Sequence, residues 1–348
     1  MAMRFHKITS LRNIRSFSSV TFAKTGDPYK VLNIEKSSGS KKLNPNEVEL
    51  KMLFSSINSI DLSLIEGFEK IPLPSIAGRD GLAEVMNIGS SVKSMSKGDW
   101  VVPLPGSNVG TWTSTVCTDH SNVIGVPKDI PEEYASNIGT NASCAYRLMN
   151  DFVKMKEGDV IIQSGANSSV GLSIIQMAKK MKIKTINVLR PRPEEDYSAE
   201  TVATVGGDIV VTSDYLHTKE FYELISDMNA PVLALDCVGG KTGTDMLRSL
   251  GENGTMVTYG CLSTTKTPIP QSVVKAKNLK LKEFSLADWA KKSKHEDRMK
   301  MINEIAEMIR SEELIMFFET HPFSQLSNAL DRYYEPYKFR KILLDMSI

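Results

Sequence analysis

The segment "GANSSVG", residues 165–171, is the first place in the chain where residue types and spacing indicate chemistry. The apolar run "VIIQS" enters it, and a segment with apolar residues at helical spacing leaves it. Gly165, Ser168 and Gly171 keep the spacing of a dinucleotide-binding turn whose middle glycine is replaced. Such a turn directs backbone N–H groups and the positive end of a helix toward a pyrophosphate. The segment predicts a nucleotide site, with a plain tight turn as the alternative.

A second segment, about 20 residues further on, indicates which nucleotide binds. Folds that bind NAD usually carry an acidic residue there, which accepts hydrogen bonds from the ribose hydroxyls. Here the sequence is "NVLRPRPEE", with Arg190 and Arg192 and no acidic residue before Glu194. A guanidinium can bind a 2′-phosphate through two hydrogen bonds, whereas a carboxylate would repel it. The segment therefore predicts NADPH, with two solvated arginines on a loop as the alternative.

The composition excludes several other classes of function. The formal net charge of +1 provides no global field that would attract nucleic acid. The four cysteines are scattered and form no Cys-x-x-Cys pair, which argues against a disulfide framework and a structural zinc site and favours a reducing compartment. No apolar run is long enough to span a bilayer. We predict neither a nucleic-acid partner nor membrane insertion.

The first 25 residues differ in composition from the rest of the chain. They contain five basic residues, and the first acidic residue is Asp27. Phe5, Ile8, Leu11 and Ile14 recur at helical spacing, so a helix here would be apolar on one face and basic around it. This composition is typical of a mitochondrial presequence, which predicts a location in the matrix and places residues 1–25 outside the fold. A disordered basic tail is the alternative.

The elements that must position the nucleotide change in character along the chain. From Val31 to about Asn150, short strands alternate with turns rich in Gly and Pro, which indicates a small barrel or sandwich. From Lys156 onward, short apolar runs alternate with helical segments, which predicts a parallel sheet in an α/β domain. A helix from about Glu296 to Arg310 and a strand in "KFRKILLDM" complete the chain.

Nine motifs give the chain a resemblance to a known family. In chain order they are "INSIDLSLIEG", "GDWVVPL", "GTWTS", "NASCAYRLMNDF", "NSSVG", "TINVLRPRP", "CVGGK", "GTMVTYG" and "KILLDM". Together they resemble the mitochondrial trans-2-enoyl-CoA reductases, a zinc-free branch of the medium-chain dehydrogenase/reductase superfamily. The resemblance implies a GroES-like β-barrel-type catalytic domain, residues 26–150 with a C-terminal return over 290–348. It also implies a doubly wound parallel-sheet (Rossmann) domain that binds NADPH, residues 151–289.

The resemblance also implies which residues contact the cofactor. In that family a serine in the phosphate turn is normal, so the replacement of the middle glycine by Ser168 agrees with the resemblance. "AGRDG" stands where zinc-dependent relatives have Gly-His-Glu, and since the Arg79 guanidinium has no lone pair to offer a metal, no metal is expected. The implied NADPH contacts are Asn141, Asn167, Ser168, Ser169, Val170, Arg190, Pro191, Arg192, Tyr259, Gly260, Cys261, Leu262, Phe284, Ser285, Leu286, Ala287 and Lys341.

The implied reaction is the NADPH-dependent reduction of trans-2-enoyl thioesters, enoyl-CoA or enoyl-ACP, in mitochondrial fatty acid synthesis by a homodimer. The family places a tyrosine in the loop after "INSIDLSLIEG", but this chain has Phe68 or Glu69 nearest that place. No catalytic residue is therefore assigned, and weakened activity is expected because a proton donor is missing. The alternatives are a quinone or alkenal reductase of the same superfamily, or a non-catalytic NADPH-binding paralogue. Lys291, Lys292 and Lys294 are candidates for contact with CoA phosphates, although such a run is usually solvated.

Overall fold

The computed structural model describes residues 18–36, 42–193, 197–336 and 340–347. The chain divides into two compact units. The first comprises the described parts of Met1–Thr140, Ala290–Ala306 and Phe318–Ile348, and the second comprises Asn141–Trp289 and Glu307–Phe317. Within the described residues, no helix has the length and apolar character needed to cross a membrane.

The first unit is built on two sheets. Its strands are β1 (Ser18–Phe22), β2 (Asn33–Lys36), β3 (Glu47–Ser56), β4 (Ser75–Ile76), β5 (Gly81–Ile88), β6 (Trp100–Pro103), β7 (Thr115–Asp119), β8 (Val123–Val126), β15 (Phe318–Pro322) and β16 (Lys341–Asp345). Seven strands form one sheet in the order β15-β16-β3-β5-β6-β8, with β7 also paired to β3, and three form the other in the order β2-β1-β4. In β3 the buried side chains of Val48, Leu50 and Met52 alternate with more exposed ones, as expected of a strand with one face in a core.

Short helices connect these strands. They are α1 (Pro28–Val31), α2 (Ser59–Glu66), α3 (Glu132–Asn137) and α12 (Leu326–Tyr334), with 3-10 turns at His120–Asn122 and Phe323–Gln325. Helix α2 begins with a capping box, in which the backbone N–H of Asn58 donates to the Asp61 carboxylate at 2.7 Å. It ends at Gly67, whose φ of +91° is the left-handed conformation that glycine adopts without strain.

Strand β1 corrects the expectation that residues 1–25 lie outside the fold. It pairs antiparallel with β2 and β4, and Val20 and Phe22 are fully buried in the core of the first unit. A strand in this position is stabilised by its partners and by burial, neither of which the basic composition of the segment reveals. The predicted presequence therefore overlaps a strand of the fold from Ser18 onward, and its part over residues 1–17 lies outside the described residues.

The second unit contains a six-stranded sheet in the order β11-β10-β9-β12-β13-β14, and every neighbouring pair in it is parallel. This order is that of a doubly wound nucleotide-binding sheet, with its reversal between β9 and β12. The prediction of an α/β chain with a Rossmann-type parallel sheet is confirmed. The strands are β9 (Val160–Ser164), β10 (Lys184–Leu189), β11 (Ile209–Thr212), β12 (Leu233–Asp236), β13 (Thr255–Thr258) and β14 (Lys280–Glu283).

Helices alternate with these strands along the chain. They are α4 (Ser143–Asn150), α5 (Ser169–Lys180), α6 (Ser198–Thr204), α7 (Lys219–Leu224), α8 (Gly240–Ser249) and α9 (Gln271–Ala276). The chain passes from one unit to the other within three elements. They are a π-helical segment, Ile138–Ala142, and the helices α10 (Leu286–Lys292) and α11 (His295–Arg310).

Candidate nucleotide site

The turn after β9 has the geometry of a phosphate-binding turn, with a serine where a glycine is usual. Gly165 has a φ of +62°, and a Cβ atom on it would lie 2.7 Å from the Cys237 sulfur. A Cβ atom on Gly171 would lie 2.6 Å from the carbonyl oxygen of Ala166, so only glycine allows α5 to approach the turn this closely. Ser168 has a φ of −75°, which any residue adopts, and its Oγ accepts a hydrogen bond from the Gly171 N–H at 3.1 Å. The serine caps α5 and needs no special backbone conformation, which is why it can replace the middle glycine.

Four of the predicted cofactor segments follow strands of the parallel sheet. Asn167–Val170 come after β9, Arg190–Arg192 after β10, Tyr259–Leu262 after β13 and Phe284–Ala287 after β14. Because parallel strands end at the same edge, the fold brings these segments to one edge of the sheet. The first lies beside the reversal of strand order, which is where open α/β sheets bind ligands.

The two predicted 2′-phosphate ligands lie directly after β10. Arg190 is exposed and Arg192 is half-buried, and the Arg192 Nη1 donates to the Ser198 hydroxyl at 2.9 Å. Ser198 is the first residue of α6, so this hydrogen bond ties the arginine loop to the helix that follows it. The Arg192 guanidinium is therefore held near the end of the strand, and Arg190 directly follows the strand, where the adenosine ribose is placed in folds of this type.

Sequence reasoning missed Asp236, a buried carboxylate at the end of β12. Its Oδ1 accepts hydrogen bonds from the Ser164 hydroxyl at 2.8 Å and from the Val238 and Gly239 N–H groups at 3.0 and 3.1 Å. Its Oδ2 accepts from the Thr267 hydroxyl at 3.1 Å. A buried carboxylate with four donors is well satisfied, and it fixes the end of β9 against the end of β12. The acidic residue that follows the apolar run in "LALDCVGG" was the available signal.

The Tyr259 hydroxyl interacts with two thiols near this edge, those of Cys237 and Cys144. The Tyr259 hydroxyl is buried, with no hydrogen-bond partner among the residues that the structure describes, and burial raises its pKa well above the usual value. Burial also raises the pKa of Cys237 to about 11 and that of Cys144 to about 12. Both thiols therefore stay protonated at neutral pH and are not nucleophiles.

The remaining predicted contacts of the second unit have clear local roles. Phe284 packs edge-to-face on Phe152, with ring centroids 5.7 Å apart. The Ser285 hydroxyl accepts from the Asp288 N–H at 3.2 Å and so caps α10. Asn141 lies buried in the π-helical segment, a distortion that is frequent at functional sites.

Lys341 belongs to the first unit, where it begins β16. Its ammonium donates to the Ile57 carbonyl at 3.0 Å and to the Asn58 side-chain oxygen. Burial lowers the pKa of Lys341 to about 8, against the opposing effect of the Asp80 and Asp61 carboxylates. The Asp61 pKa is raised to about 7 by burial, and burial also raises the pKa of Asp80.

The loop in which the family tyrosine is expected lies just after α2. The N–H groups of Phe68 and Glu69 donate to the Ser63 carbonyl at 2.9 and 3.2 Å, which closes the end of the helix. Both side chains are exposed, Phe68 by 72%. A phenylalanine in this setting offers no donor, and the loop supplies a solvent-facing carboxylate instead.

Arg79 has a structural role. Its Nη1 donates to the Ile76 carbonyl at 2.7 Å and its Nη2 to the Ser75 hydroxyl at 2.8 Å. Across residues 18–36, 42–193, 197–336 and 340–347, no group of three or more His, Cys, Asp or Glu side chains is arranged to hold a metal ion.

Comparison with known protein families defines the class of this chain. Residues 44–164 match the "Alcohol dehydrogenase GroES-like domain" family and residues 169–307 match the "Zinc-binding dehydrogenase" family. Together these matches cover most of the chain, in the order in which the medium-chain dehydrogenase/reductases carry the two domains. The chain is a two-domain dehydrogenase/reductase of that class.

Curated relatives narrow the class to one family. The chain is 37% identical to the mitochondrial enoyl-[acyl-carrier-protein] reductase of Dictyostelium discoideum over 343 residues, covering 98% of each protein. It is 34% identical to the human protein of the same name over 331 residues, covering 94% of this chain and 88% of that one. The chain belongs to the mitochondrial enoyl-[acyl-carrier-protein] reductase family, and the predicted resemblance is confirmed.

Solved structures agree with this assignment. The Etr1p/NADP/crotonyl-CoA complex has a TM-score of 0.85 at 27% identity, covering 94% of this chain and 99% of that one. The mitochondrial 2-enoyl thioester reductase Etr1p/Etr2p heterodimer from Candida tropicalis has a TM-score of 0.84 at 28% identity, with the same coverage. The quinone oxidoreductase of Escherichia coli has a TM-score of 0.84 at 22% identity, covering 94% and 99%, a likeness that concerns the fold alone.

Proposed function

We infer that this chain is an NADPH-dependent reductase of trans-2-enoyl thioesters that acts in mitochondrial fatty acid synthesis. The observation that carries this inference is its identity of 37%, over nearly the full length of both chains, to a mitochondrial enoyl-[acyl-carrier-protein] reductase. The solved complex of a related fold with NADP and crotonyl-CoA supports the cofactor and the thioester class. NADPH, when bound, supplies the hydride that saturates the carbon–carbon double bond.

The second unit suits NADPH on grounds of its own geometry. Gly165 and Gly171 allow the turn after β9 to pack closely against Cys237 and Ala166, so α5 begins at the end of β9, where its first backbone N–H groups can bind a pyrophosphate. The hydroxyl groups of Ser168 and Ser169 add donors at the same place. Arg190 and Arg192 stand after β10, where a 2′-phosphate would lie. The arrangement supports NADPH in preference to NADH because no acidic residue occupies that position.

The full set of cofactor contacts is a proposal that the strand-edge arrangement supports. The residues after β9, β10, β13 and β14 form its main part, and the family resemblance is the ground for including Asn141 and Lys341. We also propose that the first unit, which includes β1, is the catalytic part and that the second unit is the NADPH-binding part. The proton for the α carbon has no assigned donor, since the loop after α2 carries Phe68 and Glu69. Tyr146 and a bound water are the remaining candidates.

We further propose that the chain forms a homodimer through the sheet of the second unit. Strand β14 lies at one edge of that sheet, and all four of its residues are exposed. An exposed edge strand can pair with the same strand of a second copy about a two-fold axis. Replacing Leu281 by proline removes an N–H and should convert a dimer into a monomer in light-scattering measurements; a monomeric unmodified chain would exclude the dimer.

A steady-state assay tests the reaction. The chain without its first 17 residues is given 2-enoyl-CoA of several lengths, or the same acyl groups on acyl carrier protein, with NADPH or NADH. We expect oxidation of NADPH that depends on the enoyl thioester, at a rate below that of a tyrosine-bearing relative. Turnover of quinones or alkenals with no thioester turnover would favour a quinone or alkenal reductase. NADPH binding without any turnover would favour a non-catalytic paralogue.

A reporter fusion tests the presequence. Residues 1–17 fused to a fluorescent protein should carry it into mitochondria, because the basic and apolar faces of the predicted helix lie in that stretch. The matched control replaces Arg4, Arg12 and Arg15 by glutamate, which should leave the fusion in the cytosol. A cytosolic signal from both fusions would contradict the prediction.

A further inference from the structure

A buried cluster of charged groups lies where β16 meets the end of β3. Asp61 and Asp80 are each only 1% exposed, and the half-buried Lys341 interacts electrostatically with both. One oxygen of each carboxylate, Oδ1 in both cases, has no hydrogen-bond partner among the described residues. Burying charges in this way costs stability unless they are paired and fully hydrogen-bonded. A buried cluster that lowers the stability of the fold and whose hydrogen-bonding groups are not all paired indicates a role other than stability.

Asn58 connects the two sides of this cluster. Its side-chain Nδ2 donates to the Asp80 Oδ2 at 3.2 Å, and its Oδ1 accepts from the Lys341 ammonium. The ammonium fixes this orientation, because it carries donors alone and so must face the amide oxygen, which leaves the amide N–H group to face Asp80. Ser56 adds a second donor to the same Asp80 oxygen, at 3.1 Å. Asp80 therefore holds the Asn58 side-chain amide in the orientation in which its oxygen faces Lys341.

The ammonium of Lys341 retains capacity for a ligand. It carries three N–H donors, and two acceptors face it among the described residues, the Ile57 carbonyl and the Asn58 amide oxygen. Of the charges around it, Asp80 is the largest influence that keeps it protonated, and Asp61 is the next. Arg79 and Tyr333 interact electrostatically with Asp61.

We propose that Asp80 is a positioning residue for NADPH binding, which acts through the side-chain amide of Asn58 to hold the Lys341 ammonium charged and correctly oriented. This rests on the proposed assignment of Lys341 to the cofactor. Asp80 itself contacts neither cofactor nor substrate. Its effect is carried by one amide and by the field of one buried carboxylate, which is strong because the surroundings have a low dielectric constant.

The test measures the dissociation constant of NADPH between pH 6.5 and 9.5 for the full chain and four variants: Asp80→Asn, Lys341→Met, the double variant, and Ser55→Ala as control. In the unmodified chain we expect affinity to fall as pH rises through about 8, where the Lys341 ammonium loses its proton. Asp80→Asn should weaken binding about tenfold at pH 7 and move that fall at least about one pH unit lower, since the charge that keeps Lys341 protonated is gone. The 2′-phosphate of NADPH titrates near pH ~6 and affects every variant alike.

The control separates positioning from loss of structure. The Ser55 hydroxyl lies within hydrogen-bond distance of the backbone carbonyl of Asp80, at 3.0 Å, and of the Thr111 hydroxyl, so Ser55→Ala damages the same buried region without touching the Asn58 amide. It should lower the melting temperature and leave the pH profile unchanged. The double variant should bind NADPH no more weakly than Lys341→Met alone, because Asp80 acts through Lys341.

Three results would overturn the proposal. They are an unchanged pH profile in Asp80→Asn, additive losses in the double variant, and a shift in Ser55→Ala as large as that in Asp80→Asn. If Asp80→Asn does not fold, Asn58→Ala breaks the same connection, and an NADPH affinity equal to that of the unmodified chain would refute the inference. Failure of the unmodified chain to bind NADPH or to turn over enoyl thioesters would instead refute the proposed function.

Discussion

The turn after β9 allows a sharp test of why its first glycine is required. Replacing Gly165 by alanine introduces a Cβ atom at a residue with a φ of +62°, which costs about 1 kcal/mol for an L-amino acid. The same atom would lie 2.7 Å from the Cys237 sulfur, which is below van der Waals contact. Overpacking of this kind typically costs about 1–3 kcal/mol. The two effects together predict a loss of about 2–4 kcal/mol in the free energy of unfolding.

Gly158 provides the matched control. It lies in the same unit with a φ of +85°, but a Cβ atom on it would meet nothing within 4 Å. Gly158→Ala should therefore show only the conformational cost of about 1 kcal/mol. Combining Gly165→Ala with Cys237→Ala removes the sulfur, so the double variant should recover about 1–2 kcal/mol relative to the sum of the single losses.

Urea unfolding measures the loss of stability, and NADPH titration measures the loss of cofactor affinity. Gly165→Ala should raise the dissociation constant of NADPH at least about tenfold, about 1.4 kcal/mol, since the turn must move to relieve the overlap and its N–H groups move with it. Gly158→Ala should leave NADPH affinity unchanged. Equal losses of stability in the two alanine variants, or no recovery with Cys237→Ala, would refute the steric explanation.

Three further outcomes are expected. NADPH should bind at least about tenfold more tightly than NADH, and replacing Arg190 and Arg192 by alanine should remove most of that difference, whereas equal affinities in the unmodified chain would exclude the 2′-phosphate role. Phe68→Tyr or Glu69→Tyr should raise kcat for enoyl-CoA by up to about a hundredfold, unless the unmodified chain already matches a tyrosine-bearing relative, in which case this loop does not hold the proton donor. The pKa of Asp61 is raised to about 7 in the folded chain, so the native state binds more protons than the unfolded state below that pH. The free energy of unfolding should therefore fall as pH rises from about 4 to 7, and Asp61→Asn should flatten that slope in pH-dependent urea unfolding.

Local patterns in the sequence were sufficient for the architecture of the second unit. Alternation of apolar runs and helical segments after Lys156 predicted the parallel sheet, because strand and helix periods are properties of a few neighbouring residues. The position of "GANSSVG" after the first of these strands predicted the nucleotide turn for the same reason. The resemblance carried by nine short motifs then gave the family, which the relatives confirm.

The assignment of residues 1–25 shows where local patterns fail. Five basic residues and the absence of acidic ones describe a presequence well, yet Ser18–Phe22 form a buried strand. Its partners β2 and β4 lie further along the chain, and the residues of the segment itself do not indicate that it pairs with them. Whether a segment forms a strand depends on the partner strands and the buried surface that distant parts of the chain provide.

The sequence by itself determined the class of fold, and it predicts the nucleotide turn and the preference for NADPH, since each depends on residue types at short spacing. Only the tertiary structure joined Ser164 to Asp236, 72 residues apart, and Asn58 to Lys341, 283 residues apart. It also showed that Cys237 is the neighbour that excludes a side chain at Gly165. These contacts depend on strand order and on the burial of polar groups, and burial is also what moves the pKa values of Asp61 and Lys341 toward neutrality. Neither strand order nor the dielectric environment of a side chain is a local property, so neither can be obtained from the spacing of residues along the chain.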